Sequence, residues 1–162
     1  DALTKICNRG YGEAQIEKLL KAKKNGMFLL FDVDKFKHIN DTYGHSIGDE
    51  VLIQVADALK QTFEQAGVCM RLGGDEFAVY APEITEQMQA ETMIQAFFER
   101  IRNIAIPQME GDAISVSLGA VLCAPDREHV FEKVYQRADA TMYTCKKVIG
   151  NSYDFYIGRN PA

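Results

Sequence analysis

Val68-Cys-Met-Arg-Leu-Gly-Gly-Asp-Glu-Phe-Ala-Val-Tyr-Ala81 is the stretch on which the fold class turns. Two short apolar segments, Val68–Leu72 and Phe77–Ala81, flank Gly73-Gly74-Asp75-Glu76. A glycine pair between strands predicts a hairpin, because glycine reaches positive φ without a Cβ clash. Upstream, Met27-Phe-Leu-Leu-Phe-Asp-Val-Asp34 is an apolar run that reads as a central strand. Downstream, Ile114–Leu118 alternates with period two and continues to Leu122 as another, and Tyr153–Ile157 reads as an edge strand. Helical spacing marks Tyr11–Lys24, through Ile16, Leu19 and Leu20, and likewise Thr85–Ile104 and Val130–Val148. A further helix carries Leu52, Val55, Ala56, Leu59 and Phe63 on one face, with Ser46 as its predicted N-cap and an end near Gly67. The stretch before Ser46 reads as a polar connection, with Asn40, Asp41 and Gly44 as turn residues. Strands and helices alternate, yet the hairpin makes part of the sheet antiparallel. The expectation is a mixed α+β fold, a mainly antiparallel central sheet flanked by helices, rather than a doubly wound parallel one.

The chain has 162 residues, 47% apolar and 25% charged, which suits one domain with a substantial core. It opens at Asp1, and the whole length, 1–162, reads as a single module of a longer protein. The net charge of −5, with no clustered run of basic residues, argues against a nucleic-acid polymer as partner, while leaving room for a small phosphorylated ligand. The longest purely apolar run, Met27–Phe31, is far too short to span a bilayer, so no membrane contact by this domain is expected. Cys7, Cys69, Cys123 and Cys145 lack metal-type spacing and read as buried, reduced thiols of a cytoplasmic protein.

Two acidic groups interrupt apolar strands. Asp32 and Asp34, two residues apart, share a face. One reading has both solvated beyond the strand end; the other has them paired or metal-bound, since a lone buried carboxylate is costly. Asp75-Glu76 at the hairpin is open to the same two readings, an exposed turn or a site. If the hairpin pairs beside the Met27–Asp34 strand, Asp32 and Asp75 converge at one sheet edge. Clustered carboxylates need neutralising, and oxygen ligands without histidine or cysteine suit Mg²⁺ or Mn²⁺.

Arg71-Leu-Gly-Gly-Asp-Glu-Phe77 resembles the signature of the GGDEF family, the diguanylate cyclases. Phe31-Asp-Val-Asp-Lys-Phe-Lys-His-Ile-Asn-Asp-Thr-Tyr-Gly-His45, followed by Gly48-Asp49, is similar to that family's other long signature. Asp1, Leu3, Thr4, Asn8 and Arg9 resemble its opening motif, with Lys5 where glycine is usual. The resemblance implies a fold like that of class III nucleotide cyclases and polymerase palm domains. It further implies a reaction in which two GTP give cyclic di-GMP and two pyrophosphates. By carry-over, two Mg²⁺ or Mn²⁺ per site are bound by Asp32, the Val33 carbonyl and Asp75, with Glu76 supporting them. Asp75 also helps deprotonate the attacking 3′-hydroxyl. Asn40, His45 and Asp49 hold the nucleotide, Asn40 and Asp49 recognising guanine. Gly73 and Gly74 admit the phosphates, and Lys37 and Lys146 meet phosphate charge in the transition state. The amide and carboxylate are complementary to guanine's acceptor and donors, which an adenine would leave mispaired. One domain holds one GTP, so the implied partner is a second copy in a symmetric homodimer.

Two departures from the family pattern stand out. The inhibitory product motif Arg-x-x-Asp is replaced by Glu64-Gln-Ala-Gly67, which predicts no product inhibition through that site. Near the C-terminus, Tyr143-Thr-Cys-Lys-Lys-Val-Ile-Gly-Asn151 puts Gly150 where the family commonly has arginine. On a continuous helix Lys147 would point about 100° away from Lys146. A catalytically weak module that binds GTP and signals by dimerising is therefore the alternative expectation.

Overall fold

The computed structural model describes residues 1–124 and 127–158. Its elements, in chain order, are α1 (Arg9–Lys21), β1 (Met27–Val33), α2 (Phe36–Tyr43), α3 (His45–Phe63), β2 (Val68–Gly73), β3 (Glu76–Ala81), α4 (Gln87–Arg102), a short 3₁₀ turn (Pro107–Met109), β4 (Val116–Leu122), α5 (Phe131–Cys145) and β5 (Ser152–Phe155). The five strands form one sheet in the order β2-β3-β1-β4-β5. The first three pairings are antiparallel and β4–β5 is parallel, so the sheet is mixed and mainly antiparallel, as expected.

β1 is central and buried on both faces, which explains its continuous apolar run. Its odd residues, Leu29 and Phe31, join Phe77, Val79, Phe63 and Phe97 in the core beneath α3 and α4. Phe31 lies parallel to Phe77 with ring centroids 5.3 Å apart and meets Phe97 at 4.9 Å. The even residues, Phe28 and Leu30, pack with Ala78, Tyr80, Phe131, Val134 and Met142 beneath α1 and α5. Fully burying a side chain of this size contributes about 2–3 kcal/mol, so the two cores clamp β1 from both sides. Asp32 has the parity of Phe28 and Leu30, so its carboxylate emerges on the α5 side at the strand's C-terminal end.

Residues 36–43 depart from the expected polar connection: they form α2. Ile39 is buried, and Phe36 and Tyr43 pack partly against the same core, a helical spacing of apolar contacts that outweighs the turn preference of Asn40 and Asp41. Ser46 is not an N-cap. α3 starts at His45, after Gly44, whose φ of 91° and ψ of 164° both end α2 and start α3. No α-helix is long and apolar enough to cross a membrane among the described residues.

Candidate active site

The hairpin delivers Asp75 to β1. Gly74 has a φ of 53° and Gly73 one of 151°, so the chain turns within Gly74-Asp75 as the glycine pair predicts. Arg71 locks the turn from outside, its Nε and Nη2 donating to the Gly74 carbonyl at 2.9 and 2.8 Å. Glu76 pairs in register with Asp32, and the Val33 N–H donates to the Asp75 carbonyl at 3.3 Å. Because N–H and C=O of one residue point the same way in an antiparallel strand, the Val33 carbonyl also faces the hairpin turn.

Asp32, with a side chain 13% exposed, accepts from Lys146 Nζ at 2.5 Å through Oδ2. Its Oδ1 is buried and has no hydrogen-bond partner. Burial pushes the Asp32 carboxyl up to about 6; Lys146 opposes that rise, while Asp75 and Asp34 add to it. Burial also raises Asp75, against the pull of its backbone hydrogen bond, Lys146 and Arg71. The two acids therefore share one electrostatic environment, brought together from positions 43 residues apart in sequence (75 minus 32).

Asp34, just beyond β1, accepts from Ser115 Oγ at 2.5 Å and Ser117 Oγ at 2.6 Å, which ties the strand end to β4. Glu76 accepts from the Tyr135 hydroxyl of α5 at 2.6 Å, and the Arg9 guanidinium sits over the Tyr135 ring, 5.6 Å from its centroid. Among the described residues, no three Asp, Glu, His or Cys side chains converge as a ready-made metal cluster. The donor set offered by Asp32 Oδ1, the Val33 carbonyl and Asp75 nonetheless fits a hard divalent cation. Mg²⁺ takes one or two carboxylates and fills its octahedron with water and phosphate oxygens, and an orphaned buried carboxylate oxygen is what such an ion would satisfy.

The nucleotide-contact candidates occupy a neighbouring surface. Asn40 is half-buried on α2 against Gly48, and His45 and Asp49 are exposed in the first turns of α3. Lys37 is exposed at the start of α2 and does not line the adjacent cavity. That cavity, about 500 Å³, opens beside Asp34, Lys35 and Lys146. Sequence reading missed Ser115, Ser117 and Tyr135, because serine or tyrosine on a strand or helix carries no spacing signal of its own. Asn151, quoted in the C-terminal motif without a role, accepts from the Val116 N–H at 2.9 Å through its side chain and ties the start of β5 to β4.

A central antiparallel sheet with paired acids at a strand end and a neighbouring hairpin defines a palm-type nucleotide-cyclase fold. The family model described as "Diguanylate cyclase, GGDEF domain" matches residues 1–152, and the chain belongs to that family. Among relatives, it is 35% identical over 159 residues to the diguanylate cyclase DosC of Escherichia coli, covering 91% of this chain and 33% of DosC. It is 31% identical over 147 residues to YtrP of Bacillus subtilis, covering 91% of this chain and 24% of YtrP. The chain thus spans about a quarter to a third of these relatives. Among solved structures, the GGDEF domain of TpbB (YfiN) from Pseudomonas aeruginosa superposes with a TM-score of 0.85 at 27% identity, covering 97% of this chain and 94% of that one. The coiled coil and GGDEF domain of DgcB from Caulobacter crescentus, in complex with c-di-GMP, gives a TM-score of 0.85 at 25% identity, with coverages of 96% and 84%.

Proposed function

We propose that this chain is the catalytic module of a diguanylate cyclase, condensing two GTP into cyclic di-GMP and two pyrophosphates across a homodimer. The observation that carries this reading is the convergence of Asp32 and Asp75 beside Lys146, with one Asp32 oxygen buried and unpartnered. Divalent cations held by Asp32, the Val33 carbonyl and Asp75, two per site, would screen the attacked phosphate and acidify the attacking hydroxyl.

The residues themselves do the following. Asp75, raised by its burial, accepts the proton of the 3′-hydroxyl. Lys146 exchanges its contact with Asp32 for phosphate oxygens as substrate arrives. Asn40 and Asp49 read guanine, with His45 beside them, and the exposed glycines 73 and 74 let phosphate approach the backbone. Lys37, exposed at the start of α2, meets phosphate charge in the transition state. Glu76, already engaged by Tyr135, braces the metal-binding edge. The module works where GTP is, on the cytoplasmic side.

Incubating the purified chain with GTP and Mg²⁺ and separating the nucleotides tests this. Cyclic di-GMP should form, disappear with Asp75→Ala, and form at a rate rising faster than linearly with protein concentration at low concentration. A rate strictly proportional to protein concentration far below any dimer constant would count against the dimer. Gly150, in the place of a common family arginine and at a φ of 89°, favours a second reading, a GTP-binding module with little turnover. GTP binding without product at high protein concentration would select it.

A further inference from the structure

The cavity of about 500 Å³ beside the paired acids is lined by Lys35, His38 and Ile39 at the start of α2 and by the five residues Lys146 to Gly150 after α5. Its volume suits a small-molecule ligand. α5 stops at Cys145, and Lys146 is its C-cap. The Val148 N–H then turns back to the Cys145 carbonyl at 3.1 Å. Lys146 and Lys147 are the central residues of that turn, and both line the same cavity.

The charges of this cavity are unbalanced. Its two acidic residues already have partners: Asp34 takes the hydroxyls of Ser115 and Ser117, and Asp112 takes that of Tyr43. Lys146 is paired with Asp32, whereas neither Lys35 nor Lys147 makes an ion pair among the described residues. Two unpaired lysines facing one cavity, in a chain of net charge −5, mark a receptor for a polyanion. A lysine ammonium binds phosphate as a point charge, without the fixed fork of arginine, so its position along the chain can differ from that of an arginine serving the same oxygens.

We infer that Lys147, together with Lys35, binds the terminal phosphates of the nucleotide and the pyrophosphate that leaves, supplying the cation absent at Gly150. This rests on the GTP reading above and names the residues that hold its polyphosphate tail.

The test is calorimetric binding of inorganic pyrophosphate, GMP and GTP to the 162-residue chain, with Ca²⁺ in place of Mg²⁺ to limit turnover. Lys147→Ala should weaken pyrophosphate and GTP by about fivefold or more and leave GMP nearly unchanged, and Lys147→Arg should restore binding. Lys133→Ala removes the same charge from an exposed position of α5 outside the cavity and should change nothing. Wild-type affinity for GTP and pyrophosphate in Lys147→Ala, with Lys146→Ala impaired, would overturn the inference while leaving the GTP reading intact. Pyrophosphate binding that depends on Lys147, without any GTP binding, would support the cavity assignment and sink the GTP reading. Failure of the wild type to bind either would overturn both.

Discussion

A β-carbon placed on Gly48 would lie 1.8 Å from Oδ1 of Asn40 and 2.9 Å from its Cγ. The polar tip of Asn40 therefore rests on the backbone of α3, held in one orientation by a position that has no side chain. Gly48→Ala should displace an amide rather than a backbone, so the fold survives and the guanine contact proposed for Asn40 suffers. The expected result is a KM for GTP raised about tenfold or more, with kcat changed less and the melting temperature nearly unchanged. Steady-state kinetics together with a thermal melt would check it.

The Asp32 carboxyl, raised from its ordinary 3.8 to about 6, binds its proton more tightly in the folded chain than in the unfolded one. Its contribution to stability is thus fully present below about pH 4 and is lost as pH rises through 6; the displacement corresponds to about 3 kcal/mol. Asp32→Asn should match the wild type near pH 3.5. It should exceed the wild type by up to about 3 kcal/mol at pH 7.5 in the absence of divalent ions. Added Mg²⁺ should raise the wild type and not the variant. Urea unfolding across that pH range would measure all three.

Tyr135 reaches Glu76 from α5, and Arg9 covers its ring. Removing the hydroxyl in Tyr135→Phe leaves the ring and its packing in place while releasing the carboxylate. A hydrogen bond to a charged acceptor is worth about 1.5–3 kcal/mol, discounted here because Tyr135 is only half-buried. A stability loss of about 1 kcal/mol is expected, with kcat reduced severalfold and KM little altered. Equal kcat in the two proteins would remove Tyr135 from the account of the hairpin's positioning.

Position 67, where the family's product site carries aspartate, has no room for one. A Cβ on Gly67 would stand 1.9 Å from the Tyr80 carbonyl oxygen. That clash is with backbone, so Gly67→Asp should destabilise the chain by about 2 kcal/mol or more. The double change Glu64→Arg with Gly67→Asp should accordingly fail to install product inhibition. Turnover in the wild type should be unaffected by micromolar cyclic di-GMP acting through this surface. A melt and an inhibition curve would test each half.

Much of the architecture was legible beforehand. The glycine pair at 73–74 predicted the hairpin, and its pairing beside β1 brought Asp32 and Asp75 to one edge, as expected for that arrangement. Legibility failed where local preference and tertiary packing disagreed. Asn40 and Asp41 favour a turn, yet Phe36, Ile39 and Tyr43 gain enough by packing to make α2 helical. It failed again at the end of α5, because helical spacing gives no stop signal at Cys145, and it could not tell that Lys147 lines the same cavity as Lys146. Ser115, Ser117 and Tyr135 were invisible for a different reason: their partners lie 59 to 83 residues away.

What the sequence by itself determined is the kind of structure and the kind of chemistry: strand and helix periods, a glycine-enabled turn, and acids placed where apolar residues belong. These are written locally, in spacing and backbone preference. Only the tertiary structure decided which oxygen of Asp32 stays unpartnered, that Glu76 is engaged by a tyrosine, and that Lys35 and Lys147 face one cavity. Such facts depend on distances between segments remote in the chain, which side-chain packing sets and no local pattern encodes.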